Sequence, residues 1–396
     1  MAYISELNIA RNQLDANGFM PISQKNVIGN YLQDKDNNPL LIDRVGTGSQ
    51  VWAAGEVAMS VAAGQYAIAQ TRICHPYISA HPSIYTITFA DLGVQANVVK
   101  RVGAWRSSTV APYTANYDGV YLEMDGTGYN LVIAKNGVLN TIPQASWDDP
   151  LDGNGPSGEN YDFDTFTVLQ IDFLYLGGTW IRFCLNIGGQ LVYFHTYEHS
   201  GTALSTFCNS PYFYLRWEIR STVGVGSMQQ ICGGFSVLGG VETIGKEIGC
   251  DSGTAFVNAN VVGTEYLLLA IRLKSTSLNA YVIPNSLSTL SATNDSYLIR
   301  VRLNPTIAGA ALVWNNLVNS SAEFARGDVA GTNTITATNP QVSSFYAIAN
   351  QEQLIDKPFL AAIGATVAGT ADILTLSAVP LTSNLDIYGA INMKEL

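Results

Sequence analysis

Apolar and polar residues alternate with a period of two along most of the chain, the period that sends successive side chains to opposite faces of an extended strand. Between Val51 and Val241 the alternation is dense in aromatic and β-branched residues. It predicts strands at 56–61, 66–74, 83–89, 97–105, 119–124 and 129–134, then at 165–176, 179–187, 190–195, 212–220 and 228–238. Gly177-Gly178 and Gly188-Gly189 have hairpin chemistry. In 165–176, Val168, Ile171 and Phe173 have apolar neighbours on both faces, as in a central sandwich strand.

A glycine-rich passage from Gly239 to Gly253 interrupts the pattern and is expected to separate two domains. Beyond it, a block poorer in aromatics and richer in Ala, Ser, Thr and Asn predicts strands at 266–274, 279–283, 297–303, 311–317, 342–349, 372–378 and 385–391. Short strands at this spacing argue a second sandwich. With 36 glycines and abundant Thr, Val and Tyr, helix is expected only at 4–14 and 351–354. The first fifty residues are polar and broken by turn signals at Asn17-Gly18, Asp36 to Pro39 and Gly46 to Gly48. They are expected to form an extended arm, with Met1, Asn17, Tyr31 and Leu40 contacting a neighbouring subunit; the alternative is a locally packed edge hairpin. The expected architecture is all-β: an arm at 1–50 and tandem β-sandwich or jelly-roll domains at 51–241 and 254–396.

Composition adds a partner to this picture. Charged residues are 13% of the chain, where about 25% is usual, and 47% is hydrophobic. Neutral and apolar surface loses little on desolvation, so much of it is expected to be buried in a homo-oligomer, with a trimer as the first guess. A net charge of −11, with only 20 Lys plus Arg, opposes binding to a nucleic-acid backbone. No apolar run approaches the roughly 18 residues of a membrane span, and Met1 to Asn17 lacks a basic segment followed by an apolar one. Cys74, Cys184, Cys208, Cys232 and Cys250 are widely spaced and odd in number, and are expected to be reduced and buried.

Candidate chemistry is sparse. The stretch 147–164 places Asp148, Asp149, Asp152, Glu159, Asp162 and Asp164 in one glycine-rich loop. Oxygen ligands at short spacing suit Ca²⁺, although the EF-hand spacing is absent, and a solvated turn-rich loop is the plainer reading. Apart from this candidate ion, no cofactor is expected. Of the four histidines, His75, His81, His195 and His199, the last two, in HTYEH, would stand about 13 Å apart on a strand, too far to share a metal unless the chain turns between them, and HExxH helix chemistry is absent. No GxSxG elbow, Walker motif or GxGxxG opening a helix is present. Glu123, Asp125, Asp172 and Glu218 lie on or beside predicted strands and could serve glycoside hydrolysis; pairing with Arg182, Arg216 and Arg220 is the simpler role. The six tryptophans, with Tyr117, Tyr121, Tyr175, Tyr193, Tyr212 and Tyr214, could stack on carbohydrate, against a simpler role in the core.

The central block carries RVGAW at Arg101 to Trp105, DGVYLEMDG at Asp118 to Gly126, LDGNGPSG at Leu151 to Gly158, QIDFLYLGGTWIRF at Gln170 to Phe183 and YLRWEIRST at Tyr214 to Thr222. In this order the motifs resemble structural proteins of tailed phages and some large DNA viruses. RLNPT at Arg302 to Thr306 and the terminal YGAINMKEL are similar less specifically. The resemblance implies a non-enzymatic virion component, such as a capsid-decoration, neck, tail or fibre protein, partnered by itself and by other virion proteins. A receptor- or glycan-binding fibre module meeting host-surface glycan is the first alternative. A polysaccharide depolymerase is the second.

Overall fold

A computed structural model describes residues 25–32, 41–78, 81–174, 179–238, 245–337, 341–348, 352–356, 362–382 and 384–396. Among them the regular structure is antiparallel sheet with one 3₁₀ turn, Gln144–Ser146, and no α-helix. No helix among the described residues is long and apolar enough to cross a membrane. The chain forms two compact units, Met1–Glu242 and Thr243–Leu396.

The first unit contains β1 (Lys25–Leu32), β2 (Ile42–Gly46), β3 (Ser49–Ala53), β4 (Glu56–Val61) and β5 (Tyr66–Thr71). They are followed by β6 (Ser83–Ala90), β7 (Val98–Ser107), β8 (Asn116–Met124), β9 (Tyr129–Lys135) and β10 (Val138–Pro143). The last five are β11 (Thr167–Phe173), β12 (Trp180–Ile187), β13 (Gln190–Glu198), β14 (Tyr214–Ser221) and β15 (Gly226–Leu238). Sheet 1 runs β13-β12-β11-β6-β15-β4-β3, with β1 also on β15; sheet 2 runs β10-β9-β8-β7-β14-β5-β2.

Between them lies a core built by the period-two alternation. Leu169, Ile171 and Phe173 from β11 and Ile181, Phe183 and Leu185 from β12 face Val102 and Ala104 from β7 and Leu215, Trp217 and Ile219 from β14. Each buried Val, Leu, Ile or Phe side chain among them contributes roughly 1.5–3 kcal/mol. Gly233 of β15 lets the two sheets approach closely: a Cβ there would lie 3.0 Å from Trp217 Cη2 and 3.1 Å from Leu215 Cδ1. Val168 instead points out of the core and is half-buried.

The second unit contains β16 (Lys246–Asp251), β17 (Val257–Ala259), β18 (Tyr266–Leu273), β19 (Val282–Ser291) and β20 (Tyr297–Leu303). Next come β21 (Thr306–Ala308), β22 (Trp314–Asn316), β23 (Ala322–Arg326) and β24 (Thr334–Ala337). It ends with β25 (Gln341–Ala347), β26 (Glu352–Asp356), β27 (Leu374–Pro380) and β28 (Leu385–Glu395). Sheet 3 runs β16-β28-β19-β26 with β17 on β28; sheet 4 runs β21-β24-β18-β27-β20-β25, with β23 on β18 and β22 on β23. Gly389 of β28 faces sheet 4 closely, its missing Cβ 3.0 Å from Leu376 Cδ2 and 3.1 Å from Leu268 Cδ1.

The fold is thus two tandem β-sandwiches, as the alternation predicts, but three local expectations change. The described part of 1–50 is sheet: β1 lies on β15, β2 on β5 and β3 on β4. Met1, Asn17 and Leu40 lie outside the described residues, and Tyr31 sits on β1 opposite Gly233. The stretch expected to be helix at 351–354 contributes to β26, which pairs with β19, because four residues cannot repay helix nucleation whereas a sheet edge offers immediate backbone partners. The candidate helix at 4–14 lies outside the described residues. The glycine-rich passage includes β16, where Cys250 is buried opposite Ile391.

Candidate functional site

The acidic loop is held to the sandwich by three buried apolar residues, Trp147, Leu151 and Phe163. The Trp147 ring lies 4.9 Å from that of Phe194 and 6.4 Å from that of Phe163. Its carboxylates go to separate backbone amides. Buried Asp149 accepts from Leu151 N at 3.1 Å and Ser157 N at 2.8 Å. Asp152 accepts from Asn154 N, Asp162 from Asp164 N, and Asp164 from Gly93 N. Asp148 accepts from Thr196 N at 2.8 Å and faces His195 Nδ1 at 3.3 Å. Burial pushes the Asp148 carboxyl up, but His195 and the Thr196 amide outweigh it and hold it below the usual range. The structure does not bring these five aspartates together, and no three His, Cys, Asp or Glu side chains among the described residues converge to hold a metal.

The histidines also diverge. His199 Nε2 bonds the Ser205 carbonyl while His195 faces Asp148. His75 packs 4.8 Å from the Phe235 ring, its Nδ1 3.1 Å from Phe213 O, and burial pushes its pKa down to about 3.

On the outer face of sheet 2, strand order collects residues far apart in sequence. Glu218 lies against Arg216, Arg101 and Arg220, and Arg101 also donates to Glu123. Burial pushes the Glu218 carboxyl up, but the three guanidiniums more than offset it and hold it down at about 2. The segment 108–115 folds over this network: Tyr113 O accepts from Arg216 Nη2 at 3.3 Å and Arg220 Nη2 at 3.2 Å. Beside it, Trp105, Tyr121, Val132 and Ala134 form a second buried cluster. Asp125 caps its own turn, accepting from Thr127 and Gly128 amides and from Asn130. Burial pushes Asp125 up, and these donors bring its pKa below the usual range.

The outer face of sheet 1 carries another ion pair, whose two residues are each only 4% exposed. Asp172 on β11 and Arg182 on β12 stand opposite each other and join through two bonds of 2.8 Å, Nε to Oδ1 and Nη2 to Oδ2. The Arg182 guanidinium lies 5.4 Å from the Trp180 ring and 4.9 Å from the Tyr193 ring. Burial disfavours its charge, but Asp172 more than restores it, so its pKa rises. Gln170 lies opposite Thr86, and Thr196 opposite Arg182. Trp180, Tyr193, Gln170, Thr86 and Thr196 are all half-buried, so rings, an amide and hydroxyls share one shallow face.

Sequence reasoning named Asp172, Arg182, Trp180 and Tyr193 separately, but missed Gln170 and Thr86. The signal for Gln170 was the alternation Val168, Gln170, Asp172 on one strand face. Among the other aromatics considered, Tyr121 and Tyr214 are buried, Tyr212 is half-buried, Tyr117 is exposed, and Tyr175 lies outside the described residues.

No protein-family model and no curated protein sequence matches the chain. Among solved structures, the legume lectin-like domain from Entamoeba histolytica matches at 10% identity over 52% of this chain and 96% of that one, with a TM-score of 0.33. A Bacillus licheniformis β-glucanase matches at 12% identity over 55% and 98%, with a TM-score of 0.32. The Ca²⁺- and mannose-bound exoplasmic/lumenal domain of VIP36 matches at 10% identity over 48% and 82%, with a TM-score of 0.30. Matches at this level assign the chain to neither a family nor an activity.

Proposed function

We propose that the first unit is a non-enzymatic glycan-binding module, and that the outer face of sheet 1 at β11–β13 is its binding surface. The arrangement of Trp180, Arg182, Tyr193 and Asp172 carries the reading. An aromatic ring offers a flat apolar face to sugar C–H groups, and neighbouring amides and hydroxyls orient the sugar's own hydroxyls. Here the guanidinium between two half-buried rings is fixed by a bidentate carboxylate, which limits the ordering cost on binding. Gln170, Thr86 and Thr196 supply neutral donors and acceptors, so the ligand class is a neutral saccharide.

Hydrolysis fits this chain less well. A glycosidase acid needs a carboxyl group raised towards neutrality. Glu218 and Asp125 are shifted the other way, and Asp172 is held by Arg182. A glycan array probed with the wild-type protein and with Tyr193→Ala tests the proposal. It expects retention of at least one neutral glycan by wild type, weakened tenfold or more in the variant; a blank array, or equal binding by both, refutes it.

A second reading, assembly into a larger particle, is favoured by a different observation. Large apolar side chains stand exposed in both units, among them Val110, Val138 and Leu204 in the first and Val313, Val318 and Tyr346 in the second. A virion is the particle that the motif resemblance suggests. Light scattering across a concentration series tests assembly: a mass fixed at 42.5 kDa would remove it.

A further inference from the structure

We infer that the open edge of β25 pairs antiparallel with the same edge of a second copy, continuing sheet 4 across a two-fold axis. The inference rests on the assembly reading and is independent of glycan binding. β25 ends sheet 4: it pairs with β20 on one side, from Tyr297↔Ala347 to Arg302↔Gln341, and with no strand on the other among the described residues. An unpaired edge is a template for another strand, and proteins usually block it with Lys, Pro or an inward charge. Residues 341–348, QVSSFYAI, contain no charge, proline or glycine. One bulge, between Ser343 and Gln341, marks the end of the regular stretch.

Three features select a copy of this chain as the occupant. At a net charge of −11 two copies repel, and a strand without charge lets them meet without burying any. Antiparallel pairing is self-complementary by symmetry, and full overlap of the regular part, 343–347, fixes the centre at Phe345. That register sets Ser344 opposite Tyr346 of the other copy twice over, on the sheet's outer face. Tyr346 is 74% exposed and Ile348 63%, beside half-buried Leu298 on β20, so the two copies would cover each other's apolar stripe along the seam.

The register makes the test specific. Ser344→Lys/Tyr346→Lys and Ser344→Glu/Tyr346→Glu each place like charges opposite one another in a homodimer. Mixed, they place Lys opposite Glu at both positions. Both side chains are exposed in the single chain, so the substitutions leave its packing intact. Light scattering should give wild type twice 42.5 kDa. Each double variant should need at least about tenfold higher concentration to dimerise. An equimolar mixture should recover the dimer. Thr141→Lys, on the uncharged edge strand β10, should dimerise like wild type. Wild type that stays monomeric overturns this inference and the assembly reading together. Double variants that dimerise like wild type, a mixture that fails to recover, or dissociation by Thr141→Lys overturns the β25 edge alone.

Discussion

Replacing Glu218 with Gln is the sharpest perturbation of the first unit, because it removes the one carboxylate that touches Arg216, Arg101 and Arg220 together. Arg216 is fully buried, so its charge would lose its counter-ion away from water. The magnitude follows from linkage. The Glu218 pKa falls from 4.5 to about 2 on folding, and at 1.36 kcal/mol per unit that is about 3 kcal/mol. This agrees with the roughly 3–5 kcal/mol lost when a buried pair is broken from one side. The sign is fixed by the direction of the shift. A depressed carboxyl contributes fully above its unfolded value of 4.5, and the contribution is lost as pH falls towards 2. Urea unfolding followed by tryptophan fluorescence reports mainly this unit, since Trp314 is the only tryptophan of the second. At pH 7 the variant should be about 3 kcal/mol less stable, and its acid limb between pH 4.5 and 2 should be shallower than that of wild type. Adding Arg216→Met should return part of the loss, because the uncompensated buried charge goes with it. A variant within about 0.5 kcal/mol of wild type, or one with an identical acid limb, would refute the reasoning.

Asp149→Ala removes the acceptor for two loop amides and should lower stability by about 2 kcal/mol while opening 151–160 to limited proteolysis; unchanged cleavage would show the loop is held otherwise. Gly233→Val pushes methyl groups into Trp217 and Leu215 and should cost about 1–3 kcal/mol in urea unfolding, whereas a neutral result would mean the sheets can separate freely. Burial pushes the thiols of Cys74 and Cys250 up to about 12 and that of Cys208 up as well. Ellman's reagent at pH 8 should therefore find no more than half-buried Cys232 in the native protein and all five thiols after denaturation; rapid reaction of several native thiols would contradict this burial.

The strands were legible because alternation is local. YLRWEIR in β14 announces one apolar face, Leu215, Trp217 and Ile219, and one charged face, Arg216, Glu218 and Arg220. What strand order adds was not legible: β7 beside β14 brings Arg101 to Glu218, and β8 beside β7 adds Glu123. The partners of the acidic loop were not legible for the same reason. Its aspartates are close in sequence, yet Asp148 answers to Thr196 and Asp164 to Gly93, partners fixed only by the fold. Within Gly-rich 239–253, where a domain boundary was expected, β16 was not legible because glycine weakens the strand signal, although Ile248 and Cys250 keep the alternation that it uses. On sheet 1, Asp172 and Arg182 were each visible, but their facing positions depend on the β11–β12 register, and Gln170 became visible only once Asp172 defined the outer face.

Glycan binding is assigned to the face bearing Trp180 and Tyr193, so the deciding measurement is an isothermal titration of the best array glycan into wild type, Tyr193→Ala and Gln170→Ala. Saturable binding by wild type, weakened at least about tenfold in both variants while each still unfolds cooperatively above the titration temperature, is the predicted result. Binding that survives both substitutions would place the site elsewhere on the molecule and contradict the account.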